Sequence, residues 1–442
     1  MNQLMSPDQV REFSAQLAAK LPALARQSGP DAVALRIADT VACAVGAEAL
    51  SDPAGAPEGT VARIRRLTAA HDQGPATIWG SGERAGLNDA AFRNAVAARY
   101  LDFNDTYIGR AIVHPSDMVA ALVALAEERQ IDWGRLMAAV GVAYEVLCRF
   151  ADAADLRSRG FDGSTLTPLG TAAGAAWLMK LNEESAARAL RISALDAGML
   201  RAVRQGRLSD WKAVASGHGA VKGILAARMA EAGCRPPDRV FEGPEGFFEH
   251  ISGPLEIAGD DSSRLPLTIL KKYPAQIFIQ GLIELARDLR ARLTDPTTIE
   301  TITISTFRQA VDMVGGHGAD KSTALNREMA DHSAAFGVAA ILVAGRLGHE
   351  DYDALLAHPG VLALMRKVHV EEDAAASSRF PRSFPSRMRI TLSGGRELSA
   401  AQDRPAPMDA PAFAAKLDQL WPVGRPRAWP WQLPGNAPPF PG

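Results

Sequence analysis

The stretch from Tyr100 to Asp117, YLDFNDTYIGRAIVHPSD, gathers Asp102, Asn104, Asp105, Thr106 and His114 between two alanine-rich apolar segments. A core gains little from polar groups at helix junctions, because each one buried without a partner costs roughly 1–3 kcal/mol. A carboxylate, a hydroxyl and an imidazole brought together are what proton transfer on a small molecule requires. An imidazole titrates near neutrality, which makes His114 the acid/base candidate. The plainer reading of the same residues is that Asp102 and Asp105 cap helices and His114 is a satisfied loop histidine.

Four more segments follow in order. SDWKAVASGHGAVKGILAARMAEAG runs from Ser209 to Gly233, LKKYPAQ from Leu270 to Gln276, NREMADHS from Asn326 to Ser333 and FPSRMRITLSGGRELS from Phe384 to Ser399. D-x-x-D-T followed by H-P-S, then S-x-W-K, K-K-Y-P-A, R-E-x-A-D-H-S and a late hairpin resembles the MmgE/PrpD family. The matches span most of the chain. The resemblance implies a mainly α protein: a large all-helical bundle domain, a smaller α+β lid domain and a cleft between them. It implies dehydration of a small tricarboxylic acid such as 2-methylcitrate, without metal or cofactor. An epimerase or isomerase of a related dicarboxylate such as iminodisuccinate is the nearest alternative, and a cis-aconitate-type decarboxylase the next. A non-catalytic polycarboxylate-binding protein is the alternative outside enzymes.

Such a dehydratase removes a proton next to a carboxylate and expels hydroxide. The charge that develops needs cations or hydrogen-bond donors, and the hydroxide needs an acid. By resemblance, His114 is the acid/base group, Asp102 orients it or holds it charged, and Thr106 contacts substrate beside Asn104 and Asp105. Lys212 and Lys271 become the pocket cations, with Lys272 left outside. Arg327 and His332 enter as further substrate-binding residues. The plainer readings are a snorkelling surface lysine at Lys212, a solvated linker at Lys271 and Lys272, and a helix N-terminal network at Glu328 and Asp331. Two departures stand out. Seven residues, Tyr107 to Val113, separate Thr106 from His114, a longer gap than in the decarboxylase branch. Gly160-Phe161-Asp162-Gly163 carries no histidine where that branch has one, which argues against aconitate decarboxylation. Gly315-Gly316-His317-Gly318 reads as a loop able to close over the cleft.

The elements that must position these residues are legible in outline. Alanine-rich runs at 31–48, 90–100, 118–129, 136–150, 170–180 and 212–232 predict helices that approach one another closely. Ser6-Pro7-Asp8-Gln9 has the form of a capping box. The character changes after Leu265. Ile299 to Ser305 is β-branched enough for a strand. Met388, Ile390 and Leu392 alternate with polar residues before a Gly394-Gly395 turn. Helical runs at 276–293 and 328–346 separate the strands, and 411–421 reads as a last helix. The domains are then 1–265, all-helical and completed by 400–442, and 266–399, α+β. The proline- and tryptophan-rich tail from Pro422 reads as a strap over the surface.

The chain of 442 residues is 47% hydrophobic and 22% charged, with a formal net charge of −2. That balance offers no general attraction to nucleic acid or to an anionic membrane. The longest uncharged apolar run, Ser333 to Gly345, is too short to span a bilayer. No signal peptide is visible at the start. Cys43, Cys148 and Cys234 are widely spaced and suit a reducing cytoplasm rather than a disulfide framework or a metal cluster. No phosphate-binding loop, dinucleotide fingerprint or nucleophile elbow occurs. The expected partners are a small polycarboxylate and, as a homodimer through the helical domain, a second copy of the chain.

Overall fold

The computed structural model describes residues 12–50, 59–68, 73–256, 262–316, 326–421 and 427–441. The Ser6–Gln9 capping box and the second half of the 315–318 loop lie outside these residues.

The alanine-rich runs fold as the helices their composition favours. They form α2 (Pro30–Leu50), α4 (Leu87–Tyr100), α5 (Val119–Arg129), α6 (Trp133–Ala153), α7 (Thr167–Leu178) and α9 (Trp211–Glu231), and α1 (Phe13–Gln27), α3 (Thr60–Thr68) and α8 (Glu183–Leu195) join them in the bundle. Small residues let these helices pack closely. A Cβ added at Gly223 of α9 would lie 2.4 Å from Thr171 Cβ and 2.7 Å from the Pro168 carbonyl of α7. No larger residue fits there without moving a helix. Two short hairpins interrupt the bundle: β1 (Ala76–Thr77) with β2 (Arg84–Ala85), and β3 (Tyr107–Ile108) with β4 (Ile112–Val113).

The second region runs through α10 (Ile277–Ala291), β5 (Ile299–Thr306), α11 (Arg308–Val314), α12 (Arg327–Ala330), α13 (Ala334–Ala344), α14 (Tyr352–Leu356), α15 (Pro359–Met365), β6 (Val368–Glu372), α16 (Ala374–Arg379), β7 (Ser386–Leu392) and β8 (Glu397–Gln402). Its sheet has the order β6-β5-β7-β8, with β6 parallel to β5 and the other pairs antiparallel. Ile302 pairs with Ile390 and Ile304 with Met388, and all four are buried against α10 and α13 in a core separate from that of the bundle. The protein is thus mainly α, with its one large sheet in the C-terminal region.

Three expectations need correcting. The run at 328–346 is two helices, not one. Asp331 ends α12, and Ser333 starts α13 by accepting from Phe336 N. An N-capping serine offers the backbone an alternative to continuing the helix. The sheet runs on to Gln402, three residues beyond the expected boundary at 399. The tail is more than a surface strap. Trp431 is buried and stacks on Trp79 and Trp133, with ring centroids 5.3 and 5.6 Å apart. Before it, α17 (Ala410–Leu420) sends Phe413, Leu417 and Leu420 into the bundle core. Lys416 of α17 reaches Asp39 Oδ1 at 2.5 Å and the Phe103 carbonyl at 2.7 Å. No helix among the described residues is long and apolar enough to cross a membrane.

Candidate active site

The site is built where α4 ends. Asp102 takes a left-handed backbone, φ 49°, which aspartate tolerates better than most residues. That turn folds its carboxylate back so that Arg99 Nη1 donates to Asp102 Oδ1 at 2.9 Å. The seven residues after Thr106 then form the β3–β4 hairpin, in which Tyr107 pairs with Val113. The hairpin absorbs the long gap and returns His114 beside Thr106.

The tautomer of His114 follows from its neighbours. Nδ1 lies 2.8 Å from the Asp105 carbonyl and 3.2 Å from Thr106 Oγ1. A carbonyl can only accept, so Nδ1 carries the proton. Nε2 then accepts from Arg99 Nη2 at 3.1 Å. Burial, reinforced by the charges of Arg99 and Lys271, holds the imidazole well below its ordinary value. His114 is therefore neutral near pH 7, with its lone pair on Nε2. Asp102 was expected to orient this ring or to hold it charged. Instead Arg99 stands between them and favours the neutral form.

Asp102 serves a different cluster. Thr106 and Ile269 exchange backbone hydrogen bonds of 3.0 and 2.7 Å, which brings the segment before α10 against the α4 turn. Two residues on, Lys271 donates to the Asp102 carbonyl at 2.8 Å and to Oδ1 at 2.5 Å. Lys212, at the start of α9, pairs with Asp331 Oδ2. His332 Nδ1 lies 2.6 Å from Asp331 Oδ1 and 3.3 Å from Asp102 Oδ2. The break between α12 and α13 is what turns Asp331 and His332 inward. Burial raises the Asp102 carboxyl, but Arg99 and Lys271 outweigh it and hold the group well below the usual range. Burial lowers Lys271 despite Asp102, and takes His332 to about 4 despite its two carboxylates.

A cavity of about 190 Å³ opens beside this cluster. The bundle contributes Arg99, Asp102, His114 and Asp117 to its wall, together with Arg201 and Arg204. The second region contributes Gln276, Ile277, Asp312 and His332. Phe161 and Leu200 form an isolated bridge, and Arg201 N donates to the Gly160 carbonyl at 2.8 Å. This pairing delivers both arginines to the wall. Arg204 is matched by Asp162 at 3.1 Å. Arg157 meets Asp312 across the mouth at 3.1 Å. Among the described residues, Arg201 has no carboxylate partner.

Of the residues singled out from sequence, His114, Asp102 and His332 reach the cavity wall. Lys212 and Lys271 lie behind it, fully buried in ion pairs. Thr106 and Asp105 hold His114, and Asn104 donates to Ser116 Oγ at 2.8 Å and Asp117 Oδ1 at 3.2 Å; none of the three lines the cavity. Arg327 is off the wall too. Its guanidinium lies over the Tyr352 and Tyr100 rings and donates to the His349 carbonyl at 2.7 Å. Lys272 stays outside, partly exposed and 3.8 Å from Glu284. Sequence reasoning missed Arg99, Asp117, Arg201 and Arg204. Arg99 was within reach, three residues before Asp102 on the same helix end. Asp117 belonged to the H-P-S-D run. The two later arginines carried no local signal.

Asp102, Asp331 and His332 offer three possible ligand atoms within 4.8 Å of one another. The charges around them do not suit a cation. Arg99, Lys271 and Lys212 already supply three positive charges against the two carboxylates, so the cluster favours an anion instead.

Gly163 lies in the cavity wall. A Cβ there would sit 2.0 Å from the Ile112 carbonyl, so this backbone leaves no room for any side chain.

The chain matches the models of the MmgE/PrpD N-terminal domain over residues 16–259 and the MmgE/PrpD C-terminal domain over residues 273–422. It is 27% identical over 336 residues to a 2-methylcitrate dehydratase of Cupriavidus necator, covering 70% of this chain and 68% of the relative. A 2-methylcitrate dehydratase of Escherichia coli is 24% identical over 316 residues, 66% of this chain and 64% of the relative. The chain thus spans about two thirds of the length of these curated relatives. The cis-aconitate decarboxylase of Homo sapiens is 30% identical over 233 residues, 49% of this chain and 47% of the relative.

Proposed function

The chain belongs to the MmgE/PrpD family, and from that premise we propose that it is a lyase dehydrating a small tricarboxylate such as 2-methylcitrate, with no metal taking part. The observation that carries the reading is a neutral imidazole, His114, on the wall of a cavity with a surplus of cations. Arg201, Arg204 and Arg99 are the donors for the substrate carboxylates. A carboxylate that accepts from Arg99 draws the guanidinium away from His114 Nε2. The freed lone pair then removes the proton next to that carboxylate. Lys271 and Lys212 hold the positive field behind the wall without touching substrate, which stabilises the charge that develops on carbon.

A second reading has one observation in its favour. His332 Nε2 has no hydrogen-bond partner among the described residues, and its ring lines the same cavity. Two neutral imidazoles in one cavity suit two-base epimerisation of a dicarboxylate such as iminodisuccinate. The stretch Gly160–Gly163, which carries no histidine, speaks against the decarboxylase reading.

A panel of citrate, 2-methylcitrate, cis-aconitate, malate and iminodisuccinate separates these readings. Substrate loss, proton exchange with solvent and carbon dioxide release are followed together, before and after exhaustive chelation. Chelation-resistant loss of water from a tricarboxylate is the expected result. Exchange with inversion and no water loss would establish the epimerase instead.

A further inference from the structure

We propose that Asp117 is the general acid of this site, the group that protonates the departing hydroxide while His114 takes the proton from carbon. The inference rests on the dehydratase reading above.

Its side chain is 2% exposed and lies on the cavity wall. It sits on the 3₁₀ turn Pro115–Met118 that follows His114, and its backbone N–H donates to the His114 carbonyl at 3.0 Å. One short turn therefore fixes both groups on the same wall. Asp102, Asp162, Asp312 and Asp331 of the site each have a lysine or arginine in ion-pair contact. Asp117 has none among the described residues. The Asn104 amide, anchored on Ser116, donates to it at 3.2 Å. A carboxyl buried without an ion pair favours its protonated form, and a single neutral donor offsets this less than a cation would.

Burial outweighs the two cations that face it. Burial pushes the carboxyl up to about 6, against Arg99 of α4, the Ser216 hydroxyl of α9 and Arg204 of the 201–204 turn, while Asp105 pushes it further up. The same burial drives His114 the other way. A carboxyl raised and an imidazole lowered in one cavity are the mark of an acid and a base.

The step balances. His114 Nε2 removes the proton, and that electron pair becomes the carbon–carbon double bond as the carbon–oxygen bond breaks. The leaving hydroxide takes the Asp117 proton and departs as water. One proton passed from the His114 imidazolium to the Asp117 carboxylate restores both groups.

The test uses Asp117→Asn and two substrates: 2-methylcitrate and an analogue with fluoride in place of the leaving hydroxyl. Fluoride departs without needing a full proton transfer. The variant should lose about 10²–10⁴-fold in hydroxide elimination yet stay within about tenfold of wild type with the fluoro analogue. His114→Ala should lose both. Turnover of the wild type should fall as pH rises through about 6, and the variant should lack that limb. Equal losses on both substrates, or no loss on either, would overturn the inference. Carbon-13 carboxyl titration of the wild type is independent of substrate, with Asp117→Asn, or Asp117→Glu if the first does not fold, supplying the assignment. A carboxyl titrating in the ordinary range, near 4, also overturns it. If the wild type eliminates from neither compound, the dehydratase reading has failed, and the titration alone decides whether Asp117 is the protonated group.

Discussion

Arg99 Nη2 lies 3.1 Å from His114 Nε2 while Nη1 of the same guanidinium lies 2.9 Å from Asp102 Oδ1. Arginine keeps its charge in any protein setting, so it can only donate to the ring. The imidazole is thereby fixed as an acceptor at Nε2 until something more anionic competes for Arg99. A substrate carboxylate is such a competitor, which couples binding to release of the base.

Arg99→Gln removes that charge. The His114 imidazole should then titrate higher, moving back toward 6.5, in histidine-detected NMR. The change also leaves Asp102 with Lys271 as its one strong cation, and should cost about 3–5 kcal/mol of stability. An unmoved titration would show that burial alone holds the ring neutral.

His114→Ala should lower turnover roughly 10²–10⁴-fold with a much smaller change in KM, since the group acts mainly in the transition state. Steady-state kinetics on the true substrate, with circular dichroism to check the fold, decides this. Wild-type turnover would return His114 to the status of a satisfied loop histidine.

Lys212→Met and Lys271→Met break ion pairs that are wholly buried. Each should destabilise the protein by about 3–5 kcal/mol, because a carboxylate is left buried without its partner. Lys272→Ala should change stability by less than about 0.5 kcal/mol, its charge being solvated. Denaturant unfolding of the three variants checks the order. Lys212 and Lys271, read from sequence as pocket cations or solvated lysines, carry this cost because both are buried.

Acid should destabilise the protein between pH 6.5 and about 4. Burial lowers His332 and His349 from 6.5 to about 4, and lowers His114 as well. In that window the unfolded chain binds protons that the folded protein does not. The stability these groups contribute is full above 6.5 and lost as the pH falls. Asp117, raised to about 6, has the opposite sign, as do the buried Asp39, Asp105 and Glu127, which burial also raises, so their contributions fade as pH rises and the imidazole part is read as a difference between wild type and a histidine variant. Calorimetric melting temperatures across this range should fall toward pH 4, and less steeply in His332→Asn.

The sequence by itself marked the alanine-rich helices and the strands with clear alternation, and it singled out His114, Asp102, Lys212, Lys271 and His332. Alanine content, β-branching and short motifs are local properties, so a one-dimensional reading reaches them. It did not reach β6, an edge strand whose residues are largely exposed and carry no apolar alternation. Nor could it reach the state of the site. Lys212 and Asp331 are 119 residues apart in sequence, and Lys271 and Asp102 are 169 apart. Whether a lysine faces substrate or neutralises a buried carboxylate depends on which segments meet. Whether an imidazole is charged, and whether Asp117 keeps its proton, depends on the water those segments exclude and the charges they bring. Those quantities belong to the packed chain, because Coulomb interactions and desolvation follow distance in space and not distance along the sequence.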